Sequence, residues 1–128
     1  MSDFKVFDIA GSALVAQSMR LNTVASNLAN ADTVASDPSK VFRARHPVFE
    51  AQQDTVRVTG VIESERAPLV RYEPGHPAAD AKGNVYAPDI DPVEQMVDMI
   101  AASRAYQSNL EVMGAAKDLL LATLRLGQ

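Results

Sequence analysis

Large hydrophobic residues recur every seven positions near both ends of the chain. Near the N-terminus the repeat consists of Phe7, Leu14, Leu21 and Leu28. Near the C-terminus it consists of Met99, Tyr106, Met113 and Leu120. Because a spacing of seven brings side chains to one face of an α-helix, the pattern predicts two long helices, one over about residues 4–31 and one from about residue 92 onwards.

The prolines mark a different kind of structure between these helices. All seven lie between residues 38 and 92, and proline disrupts helix interiors because it lacks an N–H and clashes with the preceding turn. The best strand candidate is 55–63, which is rich in β-branched residues and has Gly60 as a possible bulge. Weaker strand candidates are 68–72 and 84–86. Asp91 and Pro92 have the residue types of a helix N-cap and first helical position.

These elements predict an α+β fold with two parts. One part is helical and combines residues 1–32 with residues 92–128. The other part, residues 33–91, is a small β-rich middle insertion that contains every proline except Pro92. Heptad repeats of this kind are typical of helices that pair along their length.

The composition narrows the class of protein. Of 128 residues, 47% are hydrophobic and 22% are charged, which is typical of a folded chain rather than a disordered one. The net charge of −4 argues against nucleic-acid binding, and the absence of Cys excludes disulfides and Cys-based zinc sites. We expect no transmembrane helix, because the chain lacks an apolar run of about 18 residues, and no cleavable signal peptide.

The N-terminal helix is unusually poor in charge. Residues 9–31 contain one charged residue, Arg20, and the positions outside the repeat are mostly Ser, Asn, Thr and Ala. A helix that packs one face on its own core normally carries charged side chains on the opposite face. Small and amide side chains instead permit close approach of a neighbouring backbone. We therefore infer that other chains cover the remaining faces; the alternative is that both repeats simply form the core of one chain.

Little in the sequence points to catalysis. The two histidines, His46 and His76, each precede a proline, and His76 with Asp80 supplies only two of the three or four ligands that a closed metal site needs. Arg43, Arg45 and His46 form a small basic cluster that we expect in a solvated loop. Nucleophile-elbow, phosphate-loop and dinucleotide-binding motifs are absent. We therefore expect no enzymatic activity, no metal and no cofactor.

Three segments together resemble the bacterial flagellar basal-body rod proteins, and most closely those of the proximal rod. Residues 26–33 (SNLANADT) are similar to a motif shared by rod and hook proteins. Residues 72–80 (YEPGHPAAD), followed by 83–88 (GNVYAP), are similar to a stretch typical of the proximal rod, and 94–109 (EQMVDMIAASRAYQSN) to the family's C-terminal motif. Gln95 stands where a second acidic residue is common, a departure that matters little if the position is on the solvent side of the helix.

The resemblance implies a structural protein. Rod proteins pair their N- and C-terminal helices as an antiparallel coiled-coil hairpin that lines a helical tube, and the β-rich insertion faces outward. The tube transmits torque and encloses the export channel. The implied partners are copies of the chain, the subunit FlgB and further rod proteins, the MS-ring junction protein FliE, and the flagellar type III export apparatus, but neither nucleic acid nor a small-molecule substrate. The implied location is the periplasmic rod of the basal body, reached without a cleavable signal peptide.

The resemblance also suggests roles for individual residues. The eight residues of the two repeats, which we call the heptad seam, are expected to pack together within a subunit. Contacts between subunits are expected at Asn22, Asn27, Asn30, Arg104 and Asn109. An outer-loop motif is expected to fix the position of the middle segment, and it consists of Tyr72, Pro74, Gly75, His76, Pro77 and Asp80.

Two other functions fit parts of the sequence. A cytosolic export chaperone or adaptor could be a helical hairpin that binds a secretion client, although such a scaffold rarely needs a Pro-rich β insertion. A small metal-dependent hydrolase would have to use His46 and His76. The first predicts a stable small dimer with one client and the second predicts bound metal, whereas a rod subunit predicts a place in isolated basal bodies.

Overall fold

Two long helices flank four short strands in the computed structural model, which describes residues 2–127. The elements in chain order are α1 (Ser2–Ala29), β1 (Arg45–Gln52), β2 (Thr55–Glu63), β3 (Leu69–Tyr72), β4 (Asn84–Ala87) and α2 (Pro92–Leu126). A short 3-10 turn, Pro38–Lys40, lies between α1 and β1. The predicted α+β class and both predicted helices are confirmed.

The second helix begins where the sequence predicts. Asp91 Oδ1 accepts a hydrogen bond from Val93 N at 2.9 Å, and Pro92 occupies the first helical position, where no N–H is needed. The helix continues for 35 residues, which corresponds to a length of about 50 Å. Within residues 2–127, neither α1 nor α2 combines the length and the apolar character that crossing a membrane requires.

The predicted strand 55–63 is confirmed, and it contains a bulge one residue before the predicted position. It forms β2 of an antiparallel hairpin with β1. Val48 pairs with Gly60 and Phe49 pairs with Val58, so Thr59 is an extra residue in β2, beside the predicted glycine. The two weaker strand candidates are also confirmed, because they form β3 and β4 of a second antiparallel pair.

The sequence pattern does not predict β1. Arg45 and His46, expected in a solvated loop, lie in this strand, so that expectation is wrong for both residues. The strand is inconspicuous because Pro47 interrupts it and because nearly all of its side chains are exposed on both faces of the hairpin. Its backbone is nevertheless paired with β2 along its whole length.

The β1–β2 hairpin lies along α1. Near its tip, Val56 N donates to Ser12 Oγ at 3.1 Å, and Lys5 forms an ion pair with Asp54. At its base, the first residue of β1 is hydrogen-bonded to the side chain of Asn27. The chain therefore covers one side of its own N-terminal helix with part of its middle segment.

The two helices pack against each other and run in opposite directions. Asn27, near the end of α1, bonds to Gln95, near the start of α2. Gly11, in the first half of α1, lies beside Met113, in the second half of α2. Because the helices are antiparallel, moving nine residues back along α1 from Gly11 to Ser2 corresponds to moving nine residues forward along α2 from Met113 to residue 122. The start of α1 therefore lies level with residue 122. The last turn of α2 therefore extends beyond α1.

The buried core consists of small residues. Among the residues whose burial the structure describes, nine hydrophobic residues are buried, six of them alanines and three valines. They are Ala10, Ala16, Val24, Ala31, Val41, Ala44, Val85, Ala87 and Ala102. Small side chains let helix backbones approach closely, but each buries little apolar area and contributes correspondingly little stability.

Candidate assembly surface

The eight residues of the heptad seam are partly rather than fully buried. Tyr106 and Leu14 line one shallow cleft between the helices, and the Met113 side chain reaches the backbone of Gly11. Fully buried positions on the helices carry smaller side chains, such as Ala102. The structure brings parts of the two repeats together, and the pairing of all eight residues stays a prediction.

Large hydrophobic side chains are exposed on the outward faces of both helices. Four of them on α2 have the spacing i, i+3, i+4 and i+7 and keep 50–66% of their surface exposed. We call these four residues the α2 patch: Val93, Met96, Val97 and Ile100. Further along α2, and in its last turns, the exposed leucines are Leu110, Leu119, Leu121, Leu124 and Leu126. On α1 the corresponding residues are Phe4, Ile9, Val15 and Met19. Charged side chains would normally occupy such positions on a helix that packs only within its own chain.

The α2 patch ends where the same helix face becomes polar. Arg104, Gln107 and Glu111 follow Ile100 at helical spacing, and all three are exposed. Arg104, one of the predicted contacts between subunits, forms no ion pair within the part of the chain that the structure describes. The outward face of α2 therefore places a free cation directly after an apolar surface.

The predicted asparagine contacts lie in different environments. Asn22 is exposed. Asn30 and Asn109 are half-buried, and their Nδ2 atoms donate to the backbone carbonyls four residues earlier in the chain, at 2.8 and 2.7 Å. Asn27 is fully buried and exposes no surface to a neighbouring subunit, so it is unsuited to the predicted contact between subunits. Asn22, Asn30, Arg104 and Asn109 stay predictions.

Asn27 instead joins three elements of its own chain. Its Oδ1 accepts from Arg45 N at 2.8 Å, and its Nδ2 donates to Arg45 O at 2.9 Å and to Gln95 Oε1 at 3.2 Å. Gln95 is 5% exposed, so this position does not lie on the solvent side of the helix. Sequence reasoning misses this cluster because the partners are 18 and 68 residues away from Asn27. The one available signal is the amide at position 95, where a carboxylate is common in the resembling family.

Asp80 organises the loop between β3 and β4. Its Oδ1 accepts from Asn84 N and Lys82 N, both at 2.9 Å, and its Oδ2 accepts from the Tyr86 hydroxyl at 3.1 Å. The hydrogen bond from Asn84 N, together with those from Tyr86 and Lys82, lowers the pKa of Asp80 against the opposing effect of desolvation. Donation to this carboxylate raises the pKa of Tyr86. The loop is therefore folded around one ionised side chain.

The other residues of the outer-loop motif shape the same turn. His76 Nδ1 accepts a hydrogen bond from the backbone N–H two residues later, at 3.0 Å. Tyr72 and Pro74 lie against Gly83, whose φ of +81° is in the left-handed region. Four members of the motif are exposed: Tyr72, Pro74, Gly75 and Pro77. His46 is remote in the chain, in β1, and within residues 2–127 no group of three or more His, Asp or Glu is arranged to hold a metal ion.

Comparison with known proteins gives a consistent result over the whole chain. Residues 7–34 match the family model described as "Flagella basal body rod protein", and residues 81–126 match the one described as "Flagellar basal body rod FlgEFG protein C-terminal". The chain is 49% identical to the flagellar basal-body rod protein FlgC of Escherichia coli O6:H1 and to that of Salmonella typhimurium, over the full length of both chains in each case. It is 40% identical to that of Aquifex aeolicus over 96% of each chain.

Proposed function

The chain belongs to the flagellar basal-body rod protein family, and from this premise we propose that it polymerises through its two helices into a helical tube. It is a structural subunit of the rod, and its relatives indicate no catalytic activity. They give no support to the alternative of a helical export chaperone or adaptor. In the proposed tube the wall transmits torque and the bore encloses the export channel.

The observation that carries this proposal is the uncovered apolar surface of the helices. The four residues of the α2 patch are more than half exposed on average, whereas the chain's own core is built of Ala and Val. Full burial of one such side chain contributes about 1.5–3 kcal/mol, so covering the remaining surface of the patch stabilises a contact by about 3–7 kcal/mol. A neighbouring subunit that packs on this face would gain that free energy.

We propose that α1 and α2 form an antiparallel coiled-coil hairpin on the inside of the tube. The opposite direction of the helices and the heptad spacing of the seam support this arrangement. In this proposal, residues 1–32 and 92–128 form the inner part, and residues 33–91 form the outer part. Within this outer part, the β1–β2 hairpin does not project away from α1, because a hydrogen bond and an ion pair attach it to one side of that helix.

The proposed partners are other rod subunits, including FlgB and further copies of this chain, and the junction protein FliE. The family membership supports assembly with rod subunits in general. We place the assembled protein in the periplasmic part of the basal body and propose that the flagellar type III apparatus exports it without a cleavable signal peptide. Antiparallel packing that buries few large side chains is compatible with a chain that must unfold for export.

The proposal is tested by changing the α2 patch without changing the fold. Ile100→Asp places a charge on an exposed apolar position, and Gln107→Asp places the same charge one heptad later on a polar position of the same face. Both variants should unfold at the wild-type urea concentration, because both sites are exposed. Ile100→Asp should abolish motility and incorporation into purified basal bodies, and Gln107→Asp should affect them much less. Normal incorporation of stably expressed Ile100→Asp would rule out the patch as a contact surface.

A further inference from the structure

The side-chain amide of Asn27 forms the same pair of hydrogen bonds with the backbone of β1 that a residue of a neighbouring β-strand would form. It accepts from the N–H and donates to the C=O of the same residue, Arg45, at 2.8 and 2.9 Å. Arg45 is the first residue of β1 and pairs with Glu63, the last residue of β2. The side chain therefore completes the hydrogen bonding of the hairpin base, with its second N–H directed to Gln95 on α2.

We infer that Asn27 is a positioning residue, the joint that sets the orientation of the β1–β2 hairpin relative to the α1–α2 pair. The joint lies where residues 33–91 leave α1 and rejoin α2, so all three elements meet at one amide. Asn27 and Gln95 are 0% and 5% exposed, and water cannot replace these bonds without opening the junction. A buried polar group that loses its partners is much more costly than an exposed one.

The other attachments of the hairpin to α1 are weaker. The ion pair between Lys5 and Asp54 joins side chains that are 61% and 53% exposed, and such pairs contribute little. Val56 N is held by the Ser12 hydroxyl, but the side chains of the hairpin that face α1 are only half-buried. The hairpin is thus fixed firmly at its base and lightly at its tip. Loss of the base attachment should therefore release it from α1.

Release of the hairpin would change the surface that a subunit presents. Part of α1 that the hairpin now covers would become accessible, and the middle segment would lose its fixed angle to the helices. This consequence for assembly rests on the proposed function. The joint itself is a property of the single chain and can be tested without any rod.

The test uses the purified full-length chain and pairs of spin labels. The chain contains no Cys, so labels can be attached at Ala25→Cys on α1 and Glu50→Cys on β1, both exposed positions. The wild-type background should give one narrow distance distribution. Asn27→Ala and Asn27→Asp should both give a broad distribution that extends to longer distances. Asn27→Asp is nearly isosteric, but it replaces the donor that faces Arg45 O and Gln95 Oε1 with a carboxylate oxygen.

Asn22→Ala is the matched control, because it makes the same change of residue type at an exposed position of the same helix. It should leave the distance distribution as in the wild type. Hydrogen exchange gives a second measurement on the same proteins. The Arg45 amide should exchange about 10- to 100-fold faster in Asn27→Ala, as expected for the loss of a buried hydrogen-bond partner, and at the wild-type rate in Asn22→Ala.

Gln95→Leu distinguishes the positioning role of Asn27 from a general loss of stability. It can also be measured if Asn27→Ala does not fold. It removes the bond to α2 and retains both bonds to Arg45, so the label distance should stay narrow. A label distance distribution for Gln95→Leu that is as broad as that of Asn27→Asp would overturn the proposal. A narrow distribution for folded Asn27→Ala or Asn27→Asp would also overturn it. Neither outcome would bear on incorporation into basal bodies, which the α2 patch variants test separately.

Discussion

Replacement of Gly83 by Ala tests whether the outer-loop motif depends on one left-handed residue. Gly83 has a φ of +81°, and holding an L-residue in that region costs about 1–2 kcal/mol. The added Cβ would lie 2.9 Å from Tyr72 Cε2, 3.1 Å from Pro74 Cβ and 3.3 Å from Pro74 Cα. Tyr72 is exposed and its ring can swing away. Pro74 cannot, because its position is fixed by the preceding backbone, where Glu73 N donates to Gly83 O at 2.9 Å.

The two effects together determine the expected loss. Overpacking against a fixed neighbour adds about 1–3 kcal/mol, and the smaller conformational freedom of Ala in the unfolded chain offsets about 0.4–1 kcal/mol. We expect Gly83→Ala to reduce the free energy of unfolding, or of local opening of the loop, by about 1–5 kcal/mol, with a central value of about 3 kcal/mol.

Urea unfolding measures the global effect, and exchange of the Glu73 amide measures opening of the loop. Gly75→Ala is the control, because it lies in the same loop, has no positive φ and has no heavy atom within 4 Å of its added Cβ. It should change the free energy of unfolding by less than about 0.5 kcal/mol. If Gly83→Ala is as stable as Gly75→Ala and its Glu73 amide exchanges at the wild-type rate, the strain argument is refuted.

Three other changes have expected outcomes that urea unfolding can check. The pKa of Asp80 is lower in the folded chain than its ordinary value of 3.8, so its stabilisation is complete above that pH and is lost as the pH falls through the folded pKa. The stability difference between wild type and Asp80→Ala should therefore shrink from pH 7 to about pH 2, and a constant difference would contradict the role of the charge. Gln53 has a φ of 55°, so Gln53→Gly should stabilise the hairpin by up to about 1 kcal/mol, whereas an equal loss would contradict the strain. Gly114→Ala, in open space on α2, should stabilise the chain by about 0.8–1.0 kcal/mol, and an unchanged stability would contradict a formed helix at this position in the monomer.

The helices and three of the strands could be predicted because local pattern determines them. The repeats at seven-residue spacing, the proline distribution and the Asp91–Pro92 start each act within a few residues. β1 could not be predicted, since its side chains are exposed and its pairing with β2 depends on backbone atoms that carry no sequence signal. The same limit applies to Asn27. Its residue type and its position on α1 are typical of a contact with another chain. It is buried instead because it forms hydrogen bonds with Arg45 and Gln95, which are distant in the sequence.

The fold also changes the meaning of the missing charge on α1. The sequence alone suggested that other chains cover every face outside the seam, but the β1–β2 hairpin is hydrogen-bonded to α1 at Ser12 and Asn27. Ala16 and Thr23 share that face of α1 by helical spacing, and both are buried. α1 therefore packs against two elements of its own chain, and its uncovered face is narrow. α2 packs only against α1 along most of its length. Of the 35 residues of α2, only Gln95 and Ala102 are buried. Because a helix gains most of its stability from packing of its apolar face, α2 depends on neighbouring subunits more than α1 does. That dependence should be greatest in the last turn, which extends beyond the start of α1.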